Sequence, residues 1–244
     1  MISRRAMPCL PAAIALAGLA ACGGGMDMED AMPAKTENIS IDRGKAEMVK
    51  AVIRMGAGEM ELSAGATGKL MDGEFRSVKK PEVRYDGQGA RGLLEIRSDR
   101  KKLRWGSNQG DDWKIRLDKS TPVDLELHLG AGESNLDLSG LALRSVEVHM
   151  GVGELKLNLD GNYGRDVEVD VHGGVGRAEI RLPRKMGAQV DAKAGIGSVD
   201  VRGLKKDSSG RYVNAAYESS SHQVRCRVRG GVGEIELIGD SESK

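Results

Sequence analysis

The chain is predicted to be all-β, a solenoid-like stack of repeats of about 21 residues turned at Gly-x-Gly corners, and three observations carry that prediction. One is alternation with period two. A run such as Val123-Asp124-Leu125-Glu126-Leu127-His128-Leu129 ends in Gly130-Ala131-Gly132, and a second alternating run, Glu133 to Leu138, follows at once. Another is recurrence. The pattern returns at Gly151-Val152-Gly153, Gly174-Val175-Gly176 and Gly195-Ile196-Gly197, spaced 21, 23 and 21 residues from corner to corner (130→151→174→195), with outlying copies at Gly56-Ala57-Gly58 and Gly231-Val232-Gly233. The third is that no stretch beyond the N-terminal segment keeps a 3.6-residue apolar period, so no amphipathic helices exist to cover the apolar faces. A single open sheet with one bare apolar face would be insoluble, so the chain must close on itself. Two solutions satisfy this: coils stacked copy on copy, or a meander closed as a barrel. About 21 residues make one coil of two strands and two corners, and glycine leaves the corners without Cβ bulk where coils pack closest, which favours the stack.

Composition agrees. Of 244 residues only 3% are aromatic, and the apolar content is mostly Val, Leu, Ile, Ala and Met, which suits narrow aliphatic layers. A formal net charge of +1 gives no bulk attraction to nucleic acid, and no nucleic-acid partner is expected.

In chain order, residues 1–21 read as an export signal, with Arg4 and Arg5 as the positive region and Leu10 to Ala21 as an apolar core too short to span a bilayer. It ends in Leu19-Ala20-Ala21-Cys22, which resembles the bacterial lipobox, so Cys22 is the expected lipidation site and the membrane the expected first partner. In a host with two membranes, Gly23 after the cysteine implies the outer membrane, facing the periplasm. Loss of Arg4 and Arg5 takes the 37 basic residues to 35, against 36 acidic ones. Cys9 leaves with the signal and Cys22 is acylated, so Cys226 stands alone, placed by its alternation with Val224 and Val228 as a small buried hydrophobe. Residues 22–45 are expected to be a flexible tether with a reach of roughly 25 Å. Residues 46–120 read as an irregular β part of short strands with turn punctuation, and 121–238 as the regular repeats, with an insertion at 203–222 forming a hairpin or loop. Residues 239–244 are a polar tail.

Trp113-Lys114-Ile115-Arg116-Leu117 leading to Val123-Asp124-Leu125-Glu126-Leu127, then Gly130-Ala131-Gly132-Glu133 and Asp137-Leu138-Ser139-Gly140-Leu141, resembles the toast-rack domain, which also forms the extracytoplasmic module of LiaF-like cell-envelope-stress proteins. Gly195-Ile196-Gly197-Ser198-Val199, Tyr212-Val213-Asn214 and Gly230-Gly231-Val232-Gly233 are similar to the C-terminal part of the same family, so the resemblance spans roughly residues 46–237. It implies a right-handed β-solenoid-like stack and no catalytic residues. LiaF-like proteins carry membrane-spanning helices before the domain, where this chain has a lipobox.

The residues bear on several chemistries. A dinucleotide site needs a helix after its glycines, and here a strand follows every copy. Gly68-Lys69-Leu70 lacks both the leading glycine and the Ser/Thr of a phosphate loop. A carbohydrate-active β-helix enzyme is the alternative function, with Glu133 and Glu154 at one repeat position and Asp137 and Glu179 nearby, although Lys156 and Arg177 interrupt the acidic columns. The most suggestive pattern is a column two residues before the corner: His128, His149 and His172, then Lys193 and Arg229, with Arg54 in the first copy. Four residues before the corner stand Glu126, Glu147, Asp170 and Asp191. Both columns should face outward as a salt-bridged strip with rungs about 4.8 Å apart. A second reading of that strip is a divalent-metal patch, in which His128, His149 and His172 with Glu147 and Asp170 converge on zinc. The function these observations predict is a non-catalytic, lipid-anchored envelope protein, an interaction scaffold or envelope-stress component for a protein or envelope-polymer partner.

Overall fold

A computed structural model of the chain describes residues 33–66, 68–98 and 110–239. The expected export signal at residues 1–21, the expected lipidation site Cys22 and residues 240–244 of the tail lie outside them. The described residues form strands β1 (Lys35–Ile41), β2 (Met48–Ala64), β3 (Met71–Ser77), β4 (Glu82–Asp86), β5 (Arg91–Arg97), β6 (Asp111–Leu117), β7 (Val123–Asp137), β8 (Leu143–Asn158), β9 (Val167–Arg181), β10 (Gly187–Arg202), β11 (Lys205–Lys206), β12 (Tyr212–Val213) and β13 (Gln223–Ile238), and no helix.

Each Gly-x-Gly lies inside one long bent strand, not between two strands. The corner also inverts the side-chain phase. In β7 the inward residues are Val123, Leu125, Leu127 and Leu129 before the corner but Ser134 and Leu136 after it, odd positions giving way to even ones; β8 switches in the same way from Val146, Val148 and Met150 to Leu155 and Leu157. A strand that bends around a core must keep presenting its apolar side chains to the inside, and a one-residue phase change in the two-residue period achieves this. The second glycine carries the change. Its φ lies between 128° and 139° in all six corners, a conformation essentially reserved for glycine.

The bent strands stack in parallel and in register, Gly132 opposite Gly153 and Gly153 opposite Gly176. Their first arms build one wall and their second arms another, with a continuous aliphatic core between the two. The closed meander is therefore not adopted. The spatial order is β2-β7-β8-β9-β13-β10, so the last long strand of the chain lies between β9 and β10, parallel to both. The stacking departs from chain order at this point: all copies share one register of corner glycines, so the repeat pattern alone does not rank them.

The irregular part contains a hidden copy. Strand β5 pairs with the first arm of β2, and β6 pairs with its second arm, so together they form a bent repeat interrupted at its corner. At the break, the Ser98 hydroxyl accepts from the Gly56 backbone N–H at 3.2 Å and donates to the Asp111 carboxylate at 2.6 Å. Trp113 of β6 is fully buried and meets Phe75 edge to face, ring centroids 5.4 Å apart.

The expected tether to residue 45 is also corrected. Lys35–Ile41 is a strand, antiparallel to β3, with Ile39 and Ile41 against the core, so any tether ends before it. Two apolar residues in seven gave too short an alternation to register. The 203–222 insertion holds the hairpin β11–β12, whose β12 caps the first arm of β10 through Gln189 and Val190. The buried Asn214 pins it: its side chain accepts from the Ala188 N–H at 2.9 Å and donates to the carbonyls of Pro183 (2.7 Å) and Met186 (2.8 Å).

Candidate functional site

The outer face of the first-arm wall carries the column that the repeat pattern singles out. With β13 in its interior slot, the row two residues before the corner runs Arg54, His128, His149, His172, Arg229, Lys193. The three imidazoles lie face to face, with ring centroids 4.9 and 5.0 Å apart and interplanar angles of 10° and 9°. This is the one-rung spacing of a parallel stack.

The carboxylates beside them are engaged strand by strand. Glu126 accepts from Lys50 Nζ (2.7 Å), Arg54 Nη2 (3.0 Å) and His128 Nε2 (2.8 Å). These bonds, the Lys50 contact foremost, pull its pKa down to about 2, and the same contact raises that of Lys50. Glu147 pairs with His149 Nε2 at 2.8 Å, Asp170 with Arg227 Nη1 at 2.7 Å, and Asp191 with Arg229 Nη2 at 2.7 Å. The Arg229 bond holds Asp191 below the usual carboxylate range.

In this metal-free arrangement the side chains of the zinc reading, His128, His149, His172, Glu147 and Asp170, do not converge on one point. Two nitrogens sharing one zinc at 2.0–2.1 Å can be no more than about 4.2 Å apart. Rings stacked parallel at 4.9 Å keep equivalent nitrogens farther apart than that, and their lone pairs point side by side instead of converging. Among the described residues no group of three or more His, Cys, Asp or Glu side chains is placed to hold a metal ion. Sequence gives the column but not the ring planes, and stacking decides them.

The carboxylates of the enzyme reading lie on the second-arm wall. Glu133 and Glu154 are register partners and, with Glu59, border an open depression next to Lys156. Asp137 accepts from Asn158 Nδ2 at 3.0 Å, and Glu179 lies 3.8 Å from Arg181. Glu154, too, has a partner, Lys156 Nζ at 3.5 Å. Cys226 is buried among apolar neighbours, and burial pushes its thiol up to about 12.

One feature escapes the repeat analysis. The middle residue of each corner points outward, and these residues align down the stack as Ala57, Ala131, Val152, Val175, Val232, Ile196. Val152 is 54% exposed, Val175 48%, Val232 46% and Ile196 70%, an apolar ridge on the bend between the two walls. The available signal was that every middle residue is apolar although it stands between two glycines.

Fold and surface together define a class: a repeat-built, two-walled β-stack whose distinctive surfaces are linear strips rather than a pocket. The chain belongs to the toast-rack family, for residues 30–181 match the family model described as the N-terminal domain of toast_rack, DUF2154. Among solved structures, a candidate cell adhesion protein from Clostridium sporogenes ATCC 15579 is 30% identical over 85% of this chain and 100% of its own, with a TM-score of 0.78. A candidate adhesin from Bacteroides fragilis NCTC 9343 is 13% identical over 84% of this chain and 97% of its own, with a TM-score of 0.34, too low to support an argument. No curated protein matches.

Proposed function

We propose that this is a non-catalytic extracytoplasmic protein of the cell envelope, held to a membrane by lipid on Cys22, which offers its corner strip to a protein or polymer of the envelope. In a host with two membranes the anchor would lie in the outer one, with the stack facing the periplasm. The observation that carries the reading is the ridge Val152–Val175–Val232–Ile196 beside the Arg54–His128–His149–His172–Arg229–Lys193 ladder. Apolar side chains of this exposure, aligned rung on rung and bordered by charge, are what a contact surface needs and a solvated wall does not. The likeness to the Clostridium protein, whose description concerns cell adhesion, supports a contact role.

The test is site-specific photo-crosslinking in intact cells. A photoreactive residue at Val175 or Ile196 should give a discrete adduct, whereas one at Glu179 on the second-arm wall should not. Cys22→Ser should release the protein from the membrane fraction and abolish the adduct. Equal labelling from all three positions, or none from the ridge, would overturn the strip as the contact site. Release of new reducing ends from envelope polysaccharide by the purified protein would replace this reading with the carbohydrate-active one.

A further inference from the structure

The stack ends unevenly. At its C-terminal end the first arm of β10 is covered by β12, but among the described residues no strand pairs with the outer side of the second arm, Ser198–Arg202. The inward residues there, Val199 and Val201, are only half-buried, as are Leu204 and Tyr212 beside them. Their counterparts in the neighbouring copies, Ile235 and Leu237 in β13 or Ala178 and Ile180 in β9, are buried. Among the described residues the core is thus left open along one strand, and residues 198–202 contain no proline and no inward charge to block pairing.

We infer that a second copy of this chain completes the edge, the Asp200–Arg202 stretches of the two copies pairing antiparallel about a two-fold axis at Val201. Two observations fix this register. The Arg202 carbonyl accepts from the Gly239 N–H at 2.8 Å, so Arg202 faces β13, and by alternation the N–H and C=O of Val201 face the open side. Two copies can therefore exchange both backbone bonds at Val201. In that register Asp200 of each copy lies opposite Arg202 of the other on the exposed face, giving two symmetric pairs of opposite charge. Centring the axis on Asp200 instead would set carboxylate against carboxylate. The inner face then joins Val201 to Val201, covering the open end of the core. A two-fold contact closes after one addition and leaves the edge blocked, whereas pairing β10 with β1 of another copy would propagate into a filament.

The test uses the full chain carrying Cys9→Ser and Cys22→Ser, so that association is read without lipid and independently of the proposed anchor and contact strip. Sedimentation equilibrium should show a monomer–dimer equilibrium. Asp200→Lys should raise its dissociation constant at least tenfold and leave the melting temperature of the monomer, measured well below that constant, unchanged, because Asp200 is exposed. Val201→Cys should oxidise to a disulfide-linked dimer, since opposed Cα atoms of a hydrogen-bonded antiparallel pair lie about 5.5 Å apart, within disulfide range. Val199→Cys should not, because its symmetry mate lies four residues along the strand. Four results would each overturn the inference: a monomer at the highest soluble concentration, a ladder of higher masses, a dimer indifferent to Asp200→Lys, or equal crosslinking from positions 199 and 201.

Discussion

A methyl group at Gly153 is a sharp test of how the corners are built. The residue has φ of +139°, and a Cβ placed there would lie 1.9 Å from the Gly132 carbonyl oxygen of the neighbouring rung and 2.8 Å from its carbon. The conformation alone costs about 1–3 kcal/mol for a residue with a side chain. Ordinary van der Waals contact begins near 3.4 Å, so the two strands must part by about 1.5 Å (3.4 − 1.9) at a point where they are hydrogen-bonded in register. Loss of one backbone bond at this part-exposed corner adds about 0.5–1.5 kcal/mol. The sum for Gly153→Ala is about 1.5–4.5 kcal/mol, and at about 2–4 °C per kcal/mol for a chain of this length the melting temperature should fall by roughly 3–18 °C. Two controls separate the causes in the same calorimeter. Gly164 has φ of +62° with nothing within 4 Å, so Gly164→Ala carries strain alone, about 1–2 kcal/mol. Gly89 meets only the Arg91 carbonyl oxygen at 3.9 Å, so Gly89→Ala should stay within about 0.5 kcal/mol of the parent. If Gly153→Ala melts no lower than Gly164→Ala, the carbonyl collision is not what keeps glycine at the corner, and the account of the stacking fails.

Glu126 makes the wall sensitive to acid. Its folded pKa, about 2, lies below its ordinary value of 4.5, so its contribution is fully present above pH 4.5 and disappears as pH falls through 2. Denaturant titrations should therefore show a constant stability gap between the parent and Glu126→Gln near neutral pH, narrowing between pH 4.5 and pH 2; a gap independent of pH over that window would refute the ion-pair account. Asn214→Ala should lower stability by at least about 2 kcal/mol in urea, because it removes three hydrogen bonds and strands the Ala188 N–H and the Pro183 and Met186 carbonyls. A loss under about 0.5 kcal/mol would mean that the hairpin is held by packing alone.

The bent strands were legible in the sequence because two periodicities coincide there: alternation within an arm and a glycine pair at each bend. The outward columns followed from the same alternation, and the parallel stack set their spacing. What stayed hidden has separate physical causes. The copy formed by β5 and β6 lacks the Gly-x-Gly mark, since residues 98–110 replace its corner. The slot taken by β13 depends on long-range pairing energies between near-identical edges, to which local pattern is blind. The ring planes of His128, His149 and His172 depend on side-chain torsions, so a column readable as a ligand set turned out to be a π-stack. Lys50, the first cause of the Glu126 shift, sits in another copy 76 positions away (126 − 50) and is joined to it only by the stacking.

The slot taken by β13 has a consequence for how the molecule is made. Synthesis delivers a chain from its N-terminus, so this strand is among the last parts to emerge, yet it lies between β9 and β10, in register with them over 14 and 15 residue pairs. Until it arrives, β10 has no permanent neighbour on that side. Its corner glycines match those of β9 as well as those of β13, so a half-delivered chain can seat β10 in the vacant berth. Refolding of the full chain is expected to end on a slow phase, the insertion of β13 between β9 and β10, monitored by stopped-flow fluorescence of Trp113 and by hydrogen exchange. A chain cut short before Gln223 would lack the Val232 rung and the Arg229 cation between β9 and β10.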